Sequence, residues 1–170
     1  MNKEMQIILE VNNQADVFYQ DAVKLGDHAG SVLKRSRSQL TGLETIAEST
    51  SKISDVFDYI KKQTARNSSW RQAHKDSPNE GFGVRLKKYL ETNLKESMGI
   101  ICKKPQLEIG DKSEEDQRER RHIHLLLMRQ FIRQMVVEYE FQVNLGDTLN
   151  PQNTQGKDAG RNQGNSKRGL

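Results

Sequence analysis

Large apolar residues recur at intervals of three and four from Met5 to Thr64, and no proline interrupts the run. That period predicts helix. Read as heptads, Met5, Tyr19, Leu33 and Leu40 share a seam with Ile8, Leu43 and Phe57, but Ala15, Ala22, Ala29 and Ser36 stand where a strong zipper places leucine. Such a seam lets another helix come close while burying little area per turn. A second face, Leu43, Ile46, Ile53, Phe57 and Ile60 with Val56 beside it, makes 40–66 the best-marked helix of this half. Gly26 and Gly30 bracket a weak stretch, because glycine costs about 1 kcal/mol against alanine inside a helix, and Gly42 is a second candidate break. Region 1–66 therefore reads as one long amphipathic helix or as two or three shorter ones.

The pattern lapses between Thr64 and Glu80, where Asn67, Ser68, Ser69, Asp76, Ser77 and Pro78 stop a helix and form a polar linker. Trp70 sits in that linker and is expected to fold back over the core; its basic neighbours Arg66, Arg71 and Lys75 also suit stacking on a base. Phe82, Leu86, Leu90, Leu94 and Met98 then mark a helix, with Gly99 where a C-cap belongs. Ser113-Glu114-Glu115-Asp116 is a serine cap with an acidic first turn, and the helix it opens is apolar around much of its circumference from Ile123 to Val143. That breadth predicts cover by a partner chain. The alternation of Val137, Tyr139, Phe141 and Val143 with polar residues also allows a short strand at 137–143, paired with Ile100–Cys102. Region 67–145 is thus a linker plus two helices that complete the bundle. The tail 146–170, whose last stretch has only Ala159 and Leu170 as apolar residues, is expected to be disordered. The fold class expected is mainly α: a small helical bundle with one or more long helices.

Composition narrows the class. With 170 residues, 34% hydrophobic and 29% charged, the chain suits one domain with a thin core. The lone Cys102 excludes an intrachain disulfide and a thiolate-rich metal site, and its apolar neighbours make it a small buried hydrophobe. No run approaches the roughly 20 apolar residues of a membrane span. The first 25 residues carry acids and lack a basic head with an apolar middle, so no secretory signal is expected and the cytoplasm is the expected compartment. The net charge of +4 is gathered in 67–112 and in the tail; it permits nucleic-acid binding without indicating it.

Chemistry-bearing motifs are sparse. Histidines stand at 28, 74, 122 and 124, no His-Glu-x-x-His or Gly-x-Ser-x-Gly occurs, and Gly81-Phe82-Gly83 lacks the Lys-Ser/Thr of a phosphate loop. His122 and His124 point about 200° apart on a helix and cannot share an ion. No enzymatic activity, cofactor or metal site is expected. The leading expectation is a non-catalytic helical interaction protein, a small subunit or adaptor that self-associates or joins a larger complex, with Phe18, Tyr19, Phe57, Phe131, Met135 and Tyr139 as anchors. The alternative is a helical subunit that holds an RNA or DNA backbone without reading bases, through Arg71, Lys87, Lys88, Arg118, Arg121, Arg129 and Arg133. Small subunits of RNA-guided effector complexes do this, although no motif here aligns with one. Internal pairing of those arginines with acids one turn away is the competing explanation.

Overall fold

The computed structural model describes residues 1–149. The chain is a mainly helical bundle built around its last helix, with one small hairpin. Helix α1 (Lys3–Val17) starts at Asn2, whose side chain accepts the Met5 N–H at 2.8 Å. Where one long helix or two or three shorter ones were expected over 1–66 there are four, and the first passes through Phe18 directly into α2 (Tyr19–Leu33). The glycines do not break it. A Cβ on Gly26 would lie 2.6 Å from the Glu138 Cβ and 2.7 Å from the Met135 carbonyl oxygen, and one on Gly30 would lie 3.2 Å from Gln142. Both glycines are the price of bringing α2 close to the central helix.

The true turn comes at Lys34, which takes φ 50° and offers its carbonyl to the Tyr139 hydroxyl at 2.5 Å. Helix α3 (Arg37–Ser49) and helix α4 (Ile53–Arg66) form a hairpin. Gly42 lies inside α3, not at a break, because the Tyr59 ring crosses over it and donates its hydroxyl to the Gln39 carbonyl at 2.6 Å. Thr50 joins the two helices: its Oγ1 accepts the Lys52 N–H and donates to Asp55 at 2.6 Å.

The region read as a linker is ordered. A 3-10 turn, Ser68–Arg71, buries Trp70 completely, with its indole N–H on Gln39 Oε1 at 2.7 Å and its ring 5.0 Å from Phe82. Strands β1 (Ala73–His74) and β2 (Ser77–Gly81) then pair antiparallel around Lys75 and Asp76. A strand this short and this polar has no period to read.

Helix α5 (Phe82–Lys88), a π turn (Tyr89–Asn93) and helix α6 (Leu94–Cys102) form one continuous rod. Its apolar residues stand four apart, a spacing that drifts by about 40° per step on an α-helix. The wider π turn absorbs that drift, and Phe82, Leu86, Leu90, Leu94 and Met98 all stay buried. The rod runs past Gly99, so no cap forms there, and Ile100–Cys102 is its last turn, not a strand. Helix α7 (Glu114–Leu149) follows, with Ser113 Oγ accepting the Asp116 N–H at 3.1 Å as the cap chemistry requires. Its 36 residues remain helical through 137–143, so the strand expected there is absent. Helical hydrogen bonding already runs without a gap from residue 114, and extending it costs less than nucleating an edge strand. The helix also carries residues 146–149 of the expected tail; the remainder of that tail lies outside the described residues.

Around α7 pack α1 and α2, α3, and the α5–α6 rod. Phe131 is the centre: Phe18 meets it edge-on at 5.5 Å and Tyr89 stacks on it at 4.5 Å, while the Tyr89 hydroxyl donates to Asp21 at 2.7 Å. Among the described residues no helix is long and apolar enough to cross a membrane.

Candidate interaction surface

Four of the six expected anchors are core residues. Phe18, Phe131, Met135 and Tyr139 are at most 3% exposed, covered by α1, α2, α3 and the α5–α6 rod. The broad apolar circumference of α7 up to Val136 is thus satisfied inside one chain, and these side chains offer nothing to a partner. Phe57 is half-buried with the Lys87 ammonium 5.7 Å above its ring, which leaves Tyr19 as the one exposed member of the set.

The seven expected phosphate-binding cations do not form one stripe. Arg129 donates from Nε to the Ala47 carbonyl at 2.7 Å and from Nη2 to the Thr50 carbonyl at 2.8 Å. It closes the C-terminal end of α3, where free carbonyls and the helix dipole favour a cation. Arg133 pairs with Glu48 at 2.5 Å. Arg71 donates to the Thr64 and Ala65 carbonyls at the end of α4, Lys87 pairs with Glu91, and Lys88 with Glu80. Of the seven, only Arg118 and Arg121 are exposed without a hydrogen bond or ion pair among the described residues. Arg121 borders a cleft between α6 and α7 that also holds Lys95, Arg120, Glu91 and Asp111.

What α7 leaves open is its far end. Val137, Phe141 and Leu145 are 62%, 57% and 43% exposed and stand four residues apart, so they line one face of the helix. That face lies in the gap between α2, which meets α7 at Glu138 and Gln142, and α3, which meets it through Glu48–Arg133 and Arg37–Asn144. On its α3 side stand Glu44, Glu48 and Glu140, with Arg133 among them. Burial, followed by the nearby Glu140 and Glu48, holds the Glu44 carboxyl above its ordinary range.

A second patch has the opposite sign. Between α4 and α5 lies a groove of about 280 Å³ lined by Ile60, Thr64, Ala65, Gly83 and Val84, with Lys61, Arg71 and Lys87 at its rim. Gly83 makes the groove, because any Cβ there would strike the Thr64 side chain. Val84 in its wall is 53% exposed.

The chain matches no family model, no curated protein and no solved structure. Its two patches are therefore read from their own chemistry. One is an apolar helix stripe with acids along its α3 side, and the other is an apolar groove with a basic rim. The stripe was visible in the sequence: Val137, Phe141 and Leu145 repeat every fourth position, and the two-residue alternation through the same segment hid it. The groove was not, because Lys61 and Lys87 come together only when α4 packs on α5.

A histidine cluster at the hairpin completes the polar interior. His28 is fully buried, with Nε2 2.9 Å from the Gln72 carbonyl and Nδ1 3.1 Å from Arg85 Nη1. A carbonyl only accepts and a guanidinium only donates, so the ring is the neutral Nε2–H form. Burial first, then Arg85, keeps its pKa below the ordinary histidine value. His74 lies 5.3 Å from it, ring to ring, and faces Asp27 and Asp76.

Proposed function

We propose that this chain is a non-catalytic, cytoplasmic helical subunit that assembles by self-association, head to tail. The observation that carries the reading is the exposed Val137–Phe141–Leu145 stripe, flanked by Glu44, Glu48 and Glu140 on its α3 side, on a helix whose other large apolar residues are covered. The base-rimmed groove between α4 and α5 is a different patch of opposite charge. Two unlike, complementary patches on one molecule favour a heterologous contact, in which each copy uses its stripe on the groove of the next. Apolar anchors supply the affinity, and the opposite charges fix orientation and reject like-to-like pairing.

The test is light scattering on eluting full-length protein over a range of concentrations, read with absorbance at 260 and 280 nm. The expected mass is above 19.5 kDa and rises with concentration. Phe141→Asp and, separately, the pair Lys61→Glu with Lys87→Glu are expected to give monomers. Mixing the two variants restores a dimer, because each still holds one intact patch. A wild type that stays monomeric throughout overturns the reading, as does a Phe141→Asp protein that assembles normally.

A second reading is favoured by Arg118 and Arg121, which have no hydrogen bond or ion pair among the described residues, Arg121 sharing a cleft with Lys95. In it the assembled subunit holds a nucleic-acid backbone, as small subunits of RNA-guided effector complexes do. Elution with absorbance at 260 nm that high salt removes, and that Arg118→Glu with Arg121→Glu abolishes, supports this reading; protein-like absorbance throughout counts against it.

A further inference from the structure

His74 stands at the end of β1 with its side chain nearly enclosed, and carboxylates flank both of its nitrogens. Asp27 of α2 places Oδ2 3.2 Å from Nε2, and Asp76 of the hairpin turn places Oδ2 3.5 Å from Nδ1. The Asp76 backbone N–H also donates to Nδ1 at 3.1 Å. In the metal-free chain that bond makes Nδ1 an acceptor, so the ring proton sits on Nε2 and points at Asp27.

We infer that Asp27 and His74 are ligands for a zinc-class divalent cation, with Asp76 orienting the imidazole from behind. Two donors held about 2.1 Å from one zinc ion at the tetrahedral angle lie roughly 3.4 Å apart, close to the 3.2 Å already present between His74 Nε2 and Asp27 Oδ2. The three side chains offer donor atoms within 4.8 Å of one another. When the ion takes the Nε2 lone pair, the ring proton moves to Nδ1, and the Asp76 carboxylate receives its hydrogen bond in place of the peptide N–H. The imidazole neither gains nor loses a proton. This is the carboxylate–histidine–metal arrangement that fixes a ligand ring. An open concavity of about 520 Å³ beside Asp27 and His74 leaves the remaining coordination positions to water. One imidazole with one carboxylate suits a borderline cation and not magnesium or calcium, which require mostly oxygen donors. Bound metal would pin the hairpin to α2. The inference is independent of the assembly reading.

The experiment is calorimetric titration of the full-length protein with zinc chloride, together with nitrogen-15 NMR of the histidine rings, which reports the tautomer. One zinc per chain is expected, with His74 switching from the Nε2–H to the Nδ1–H form. Asp27→Asn, on a partly exposed side chain that the fold tolerates, should weaken binding at least about tenfold, and Asp76→Asn by roughly ten- to a hundredfold. His74→Gln should abolish it, while His122→Gln, on an exposed ring, leaves it unchanged. Absence of binding at millimolar zinc overturns the inference. So does wild-type affinity in Asp27→Asn or His74→Gln, or a zinc-loaded protein whose His74 is still Nε2–H.

Discussion

Residues 123–136 and 137–146 of α7 are one helix with comparable apolar content and opposite fates. In the first half Ile123, Leu127, Phe131 and Met135 are covered by helices on every side where they project. In the second half Tyr139 and Val143 are covered while Val137, Phe141 and Leu145 are open. The difference is not hydrophobicity but neighbours: α1 ends opposite Gln134, and beyond it only α2 and α3 flank the helix. An apolar stripe is core or contact surface according to which elements reach it, and that information is not in the stripe.

Three experiments sharpen this contrast, in descending order of effect. Phe131→Ala removes the ring that Phe18 and Tyr89 both pack on, and should cost about 3–5 kcal/mol in urea unfolding. Acid gives a smaller effect with opposite signs in the two halves. His124 in the covered half donates Nε2–H to the Leu90 carbonyl at 2.8 Å, within the π turn. Burial, and then Lys95, lowers its pKa from the usual 6.5. The unfolded chain therefore takes up the proton first, so this contribution is complete above pH 6.5 and is lost as pH falls below it. Glu44 behaves conversely: its pKa is raised from 4.5, so the folded chain protonates first and the open half gains stability as pH falls through that range. Unfolding midpoints measured from pH 7.5 to 4 should show His124→Gln weakening the first trend, the rest of which buried His28 supplies, and Glu44→Gln removing the second. The smallest effect is on the stability of Phe141→Asp, which should stay within about 0.5 kcal/mol of wild type at a concentration where both are monomeric. A loss as large as that of Phe131→Ala would mean that the two halves do not differ.

Much of the fold was legible because its signals are local. The serine cap at 113, the four-residue spacing from Phe82 to Met98 and the thin seam of 1–66 each specify helix within their own segment. Where tertiary contacts decide, the sequence misled. Gly26, Gly30 and Gly42 look like breaks and are close approaches, since nothing local records that Glu138, Gln142 and Tyr59 will cross them. Arg129 looks like a phosphate ligand and closes α3, whose carbonyls it meets from some 80 residues away. Of the candidate surface, the arginines without partners and the exposed Tyr19 were readable; the basic groove and the Asp27–His74 pair belong to no single segment.

The placement of α7 has a consequence for synthesis. The helix that every other layer packs on is the last of the described elements to leave the ribosome. Until roughly its second half has emerged, the faces of α1, α2, α3 and the α5–α6 rod that will bury Phe18, Leu25, Leu40 and Leu90 have no counterpart. Nascent chains of this protein therefore spend most of their translation with an uncovered interior, a state in which apolar surfaces invite aggregation, and folding is gated by the arrival of one late segment. Chains that stop before Ile123 lack the centre of their own core, so incomplete synthesis yields material for chaperones and proteases and not a smaller folded protein.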